Sequence, residues 1–171
     1  MNRTDIKKDI KEEYKEYTLG LAVFDFLPVF LFFISGIVIY RMYESPVLLA
    51  GVLACFAGGL SKAVWKAIVV LRGEDRVELT RAFHVLMPAG FALMIISVLI
   101  RGAPALSGLW HSLSTMPAAL FFICGFLLMC IMGYLGSHMD KSARSNWIEE
   151  AVNTLAQAAV LIGVITIYLG K

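Results

Sequence analysis

A small set of ionisable and amide side chains sits where apolar residues would be expected. Lys62 and Lys66 fall inside the apolar run Pro46–Arg72, and Asp25 falls inside the run that begins at Thr18. Glu149, Asn153 and Gln157 recur at steps of four, which places them on one helix face. In lipid an ionisable group is costly and faces a protein interior or a water-filled cavity, so these residues mark a site. Two lysines favour an anionic solute or a lipid headgroup as the ligand, with Asp25 tuning the charge.

Histidines add a second chemistry. His84 and His138, with Asp140 and Glu149 or Glu150, are residue types that suit zinc, and the two histidines also suit haem. Their spacing specifies neither site, and no metal or cofactor is predicted. A Walker loop, HExxH, GxSxG and a potassium-filter sequence are all absent from the chain.

The elements that must position these residues follow from composition. Of 171 residues 59% are hydrophobic and 16% charged, in long apolar runs that indicate an all-α integral membrane bundle. Five spans are expected, at about 18–40, 46–71, 82–100, 115–136 and 147–170, together forming one domain from 18 to 171. Residues 1–17 are dense in both charge signs. Ile6, Ile10, Tyr14 and Tyr17 give them the stripe of a short amphipathic helix on the membrane surface. Between the third and fourth spans, a half-apolar segment carrying Trp110 and His111 reads as interfacial.

Basic residues set the orientation. With the N-terminus cytoplasmic, ten lysines and arginines lie inside, among them Lys7, Lys8, Arg72, Arg76, Lys141 and Arg144. Only Arg41, Arg101 and Lys171 then lie outside, with the C-terminus. That orientation argues against glycosylation of the Asn2-Arg3-Thr4 sequon, and the compact loops suit a bacterial inner membrane. The formal charge of +2 gives no reason to expect nucleic acid.

Depth then gathers the polar residues into one band. At about 1.5 Å per residue Lys66 lies about 9 Å, Asp25 about 10 Å, and Lys62 and Gln157 about 15 Å from the inner ends of their spans. His84, Tyr134 and His138 lie at that same side. Lys66 is shallow enough to snorkel to headgroups, whereas Lys62 is deeper and needs a partner or ligand. Pro28 and Pro88 free the carbonyls of Phe24 and His84 and should bend two helices beside the band.

Ala50, Ala54 and Gly58 lead into the lysines at steps of four and should let a neighbouring backbone approach. Cys55, Cys124 and Cys130 read as buried packing residues. Asn146 and Glu149 have the spacing of a capping box.

The function expected is a cytoplasm-facing polar vestibule that binds or transports a small anionic solute or lipid headgroup, using Lys62, Lys66, Asp25, Asn153, Gln157, His84 and Tyr134. One alternative is an intramembrane lipid-modifying enzyme working through His84 and His138 with acidic partners. Another is a structural or assembly subunit. Five short spans rarely enclose a path alone, so a homo-oligomer is expected.

Overall fold

The structure, a computed structural model, describes residues 18–139 and 142–170, with 103–106, 109 and 112 described by backbone alone. The N-terminal amphipathic segment, its sequon, Asp140 and Lys141 lie outside the described residues.

Those residues form seven helices and no strand. Helix α1 (Leu19–Phe24) runs through a break at Asp25 into α2 (Phe26–Tyr43), and the two make one span. Helices α3 (Pro46–Arg72), α4 (Val77–Arg101), α6 (Ala118–His138) and α7 (Ala143–Leu169) are the other four long and apolar enough to cross a membrane. Helix α5 (Ala103–Ser114) occupies the half-apolar connection, with Trp110 three-quarters exposed.

Local chemistry fixes the helix ends. Thr18, Ser45 and Ser142 accept the backbone N–H groups of Leu21, Leu48 and Ser145 at 3.2, 3.4 and 3.3 Å. Each thus satisfies a donor that has no partner within its helix. Gly73, at φ 61°, ends α3 in the left-handed conformation that glycine adopts without a Cβ clash. The capping box expected at Asn146 is not formed, because Ser142 starts α7 and Asn146 lies inside it.

Two spans are longer than their apolar runs. Helix α4 starts at Val77 and takes in Glu78 and Arg81, and α7 starts at Ala143 and takes in Arg144. Apolar residues are required only across hydrocarbon, so a helix continues past it with charged side chains in the headgroup layer.

The helices pack as an open arc in the order α4, α3, α2, α7, α6. The α3–α4 and α6–α7 hairpins are the most extensive pairings, and α2 joins them by packing on both α3 and α7. Helices α4 and α6 stand at the two ends of the arc and make no extensive contact among the described residues.

Backbone approach sets the closest crossing, between α3 and α4. A Cβ on Gly51 would lie 2.7 Å from the carbonyl oxygen of Gly90, and one on Gly90 would overlap Cys55. The Cys55 thiol donates to the Met87 carbonyl at 3.6 Å. Toward the Gly51 end of the same crossing, the buried hydroxyls of Ser45 and Ser97 meet at 2.8 Å. The contact stripe is therefore Gly51, Cys55 and Gly58. The expected stripe shares only Gly58, for Ala50 is exposed and Ala54 half-buried. Both stripes have helical spacing, and only the neighbour's position distinguishes them. Cys55 is buried as expected, but Cys124 and Cys130 are exposed on α6, whose place at the end of the arc leaves much of its surface uncovered.

Candidate functional site

The break between α1 and α2 carries the first functional side chain. Pro28 lacks an N–H, so the carbonyl of Phe24 loses its usual intrahelical partner, and the chain interrupts its regular helix one residue later. That residue is Asp25. Leu21 and Ala22 in the preceding turn are buried, and Asp25 is itself only 5% exposed.

Opposite it lies Lys66 of α3, 4% exposed. Its Nζ lies 2.6 Å from Oδ2 of Asp25 and 2.9 Å from Oε1 of Glu150 on α7. Three spans therefore meet in one buried cluster, with two carboxylates on a single ammonium. Lys66 does not snorkel. Its amine turns inward because two carboxylates offer more than headgroups could.

Beside this cluster opens a cavity of about 530 Å³ on the concave side of the arc, with lining from all five spans. This is within the size range of small-molecule sites. Asp25, Lys62, Glu149, Glu150, Asn153 and Gln157 supply its polar surface. The apolar surface comes mainly from Phe32 of α2, Phe83, Met87 and Phe91 of α4, and Met129 and Met132 of α6. Lys62 is exposed, with its Nζ 5.3 Å from the centroid of the Phe83 ring, a cation–π distance.

Two polar atoms of lining residues are buried without a hydrogen-bond partner, Oδ1 of Asp25 and Oε1 of Gln157; Oγ1 of Thr154, on α7 but outside the lining, is a third. Buried acceptors of this kind are rare in folded proteins, and each one calls for an explanation.

The structure thus brings together Asp25, Lys62, Asn153 and Gln157 in one lining, with Lys66 directly behind Asp25. It does not bring in His84 or Tyr134, which are exposed. His84 Nδ1 bonds the carbonyl oxygen of Thr80 at 2.7 Å, and Tyr134 stacks on His138 at 4.2 Å between ring centroids. His84 and His138 belong to helices at opposite ends of the arc, and Glu150 is engaged with Lys66. Among the described residues no group of three His, Cys, Asp or Glu side chains could hold a metal.

Glu150 as a partner of Lys66 is the functional residue that sequence reasoning missed. Steps of four give the face through Glu149, Asn153 and Gln157. Steps of three and seven from Glu150 reach the same Asn153 and Gln157, and that pattern identifies the buried glutamate.

Comparison with protein-family models, with curated proteins and with solved structures returns no match. The class rests on the chain itself: five helices long and apolar enough to span a bilayer make it a multi-pass helical membrane protein by length and composition. Within that class its own mark is a lysine held by two carboxylates beside a cavity that all five spans line.

Proposed function

We propose that this protein binds or transports a small charged molecule with apolar character in the cavity between its five spans. The observation that carries the reading is the mixed lining: carboxylates, amides and a lysine face phenylalanine and methionine across about 530 Å³. Such sites use apolar surface for affinity and a few polar groups for orientation. Methionines add a lining that adapts to ligands of different shape.

The cavity lies in the half of the bundle that carries Arg72, Arg76, Arg81 and Arg144. With the N-terminus cytoplasmic and the C-terminus outside, it is a cytoplasm-facing vestibule in the inner membrane. The uncovered flanks of α4 and α6 support assembly into a homo-oligomer.

An anionic solute or lipid headgroup is the second reading, and Lys62 is the residue that favours it. Lys66, the other lysine expected to meet an anion, is engaged with Asp25 and Glu150.

A thermal-shift screen of the detergent-purified protein against amines, anions and lipids tests the reading. A ligand of the vestibule raises the unfolding temperature in a concentration-dependent way, because binding the native state alone stabilises it by mass action. Filling the vestibule by Gly136→Phe should remove the shift without unfolding the protein, since a Cβ there meets nothing within 4 Å. A shift that survives this change would place the ligand elsewhere.

A further inference from the structure

The charges around the vestibule do not balance. Helix α2 contributes Asp25, α3 contributes Lys62 with Lys66 behind it, and α7 contributes Glu149 and Glu150. The lining residues of α4 and α6 carry no charge. Three carboxylates thus face two ammonium groups, and the imbalance is sharpest in the buried cluster, where Asp25 and Glu150 share Lys66. An uncompensated charge in a buried site costs several kcal/mol, and among the described residues the site is short of one positive charge.

Hydrogen bonding points the same way by an independent route. Oδ2 of Asp25 is satisfied by Lys66, whereas Oδ1 is buried without a partner in a residue that lines the vestibule. Oε1 of Gln157, also in the lining, is a second buried acceptor without a donor. Both atoms accept and neither donates, so the missing group is a donor. A fully ionised carboxylate or sulfonate supplies none, and an ammonium supplies up to three.

The remaining surface describes the rest of the molecule. Phe32 and Phe91 add aromatic surface beside Phe83, whose ring already carries the Lys62 ammonium, and Met87, Met129 and Met132 complete an apolar lining that packs an apolar chain. A bare metal ion or a proton would meet the charge and leave this surface unused.

We infer that the vestibule takes a monovalent organic cation, an ammonium on an apolar chain or ring, with its N–H groups on Oδ1 of Asp25 and Oε1 of Gln157. This rests on the vestibule being a binding site and names the class of its ligand. Lys62 is then the unfavourable neighbour of the ligand's charge, opposite to its role with an anion.

The sign of the Lys62 effect provides the test. Binding of octylammonium, octyl phosphate and octanol to the full-length detergent-purified protein is measured by calorimetry and thermal shift. Octylammonium should bind in preference to the other two, and Lys62→Met, a change at an exposed residue, should tighten it several-fold. Asp25→Asn should weaken it by about tenfold or more, as loss of a charged hydrogen bond does. Gln157→Leu should weaken it in the same direction and decides the matter if Asp25→Asn does not fold.

Preference for octyl phosphate, lost in Lys62→Met, would overturn the cation and keep the vestibule. Octylammonium binding indifferent to both Asp25→Asn and Gln157→Leu would overturn the assignment of these acceptors. Failure of all three amphiphiles to bind would remove the vestibule reading itself, and the cation with it.

Discussion

Lys66 Nζ lies 2.6 Å from Oδ2 of Asp25 and is held by Glu150 from the other side, so the lysine has one counter-ion more than its charge requires. Either carboxylate alone leaves a one-to-one pair. Asp25→Asn and Glu150→Gln should therefore each be nearly neutral, within about 1.5 kcal/mol in either direction, since a partner remains and the relief of excess negative charge offsets the lost charged hydrogen bond. The double variant strands a buried ammonium and should lose about 3–5 kcal/mol. Chemical or thermal unfolding of the four proteins in detergent gives the coupling directly. Simple additivity would mean that the two carboxylates do not compensate the same lysine.

Removing the cation reverses the logic. Lys66→Met leaves two carboxylates facing each other in a buried site, and should cost at least as much as the double variant, about 3–5 kcal/mol. Combining it with Asp25→Asn and Glu150→Gln neutralises the cluster and should recover most of that loss. No recovery in the triple variant would mean that packing around Lys66, and not its charge, holds these spans together.

Much of this was legible in the chain. The five spans follow from apolar run length, and helical spacing brings Asp25, Lys62, Asn153 and Gln157 to one lining. Which lysine is buried was not legible. Depth alone favoured snorkelling by Lys66 and a partner for Lys62, yet rotation about the α3 axis turns Lys66 toward Asp25 and Glu150 and Lys62 toward the open vestibule. One sequence does not fix that rotation, because Ala50–Ala54–Gly58 and Gly51–Cys55–Gly58 are equally good small-residue stripes. The choice between them is made by Gly90 on a different helix.

Gly90 should therefore be among the least tolerant positions in the chain. A methyl group there meets Cys55 and lies 2.7 Å from the carbonyl oxygen of Gly51. Backbone cannot rotate aside as a side chain can, so α3 and α4 must separate. Gly90→Ala should destabilise by about 1–3 kcal/mol in the manner of an overpacked core. Gly133→Ala on α6 meets nothing within 4 Å and should be neutral or gain up to about 1 kcal/mol from helix propensity. Equal tolerance at the two sites in unfolding experiments would mean that the α3–α4 crossing is looser than its contacts indicate.

Orientation determines which compartment the vestibule serves, and it is tested at two turns on opposite ends of the bundle. Glu44, exposed between α2 and α3, belongs to the side holding only Arg41 and Arg101 among the described basic residues. Arg76, half-exposed between α3 and α4, belongs to the side holding Arg72, Arg81 and Arg144. In the proposed orientation the first lies outside and the second in the cytoplasm. With Cys55, Cys124 and Cys130 replaced by alanine, Glu44→Cys should react with a membrane-impermeant maleimide in intact cells. Arg76→Cys should react only after the membrane is opened. Its exposed pair with Glu74 is worth under about 1 kcal/mol, so the fold should survive the change. The opposite labelling pattern would turn the protein over, and Asp25 Oδ1 and Gln157 Oε1 would then await a cation arriving from outside.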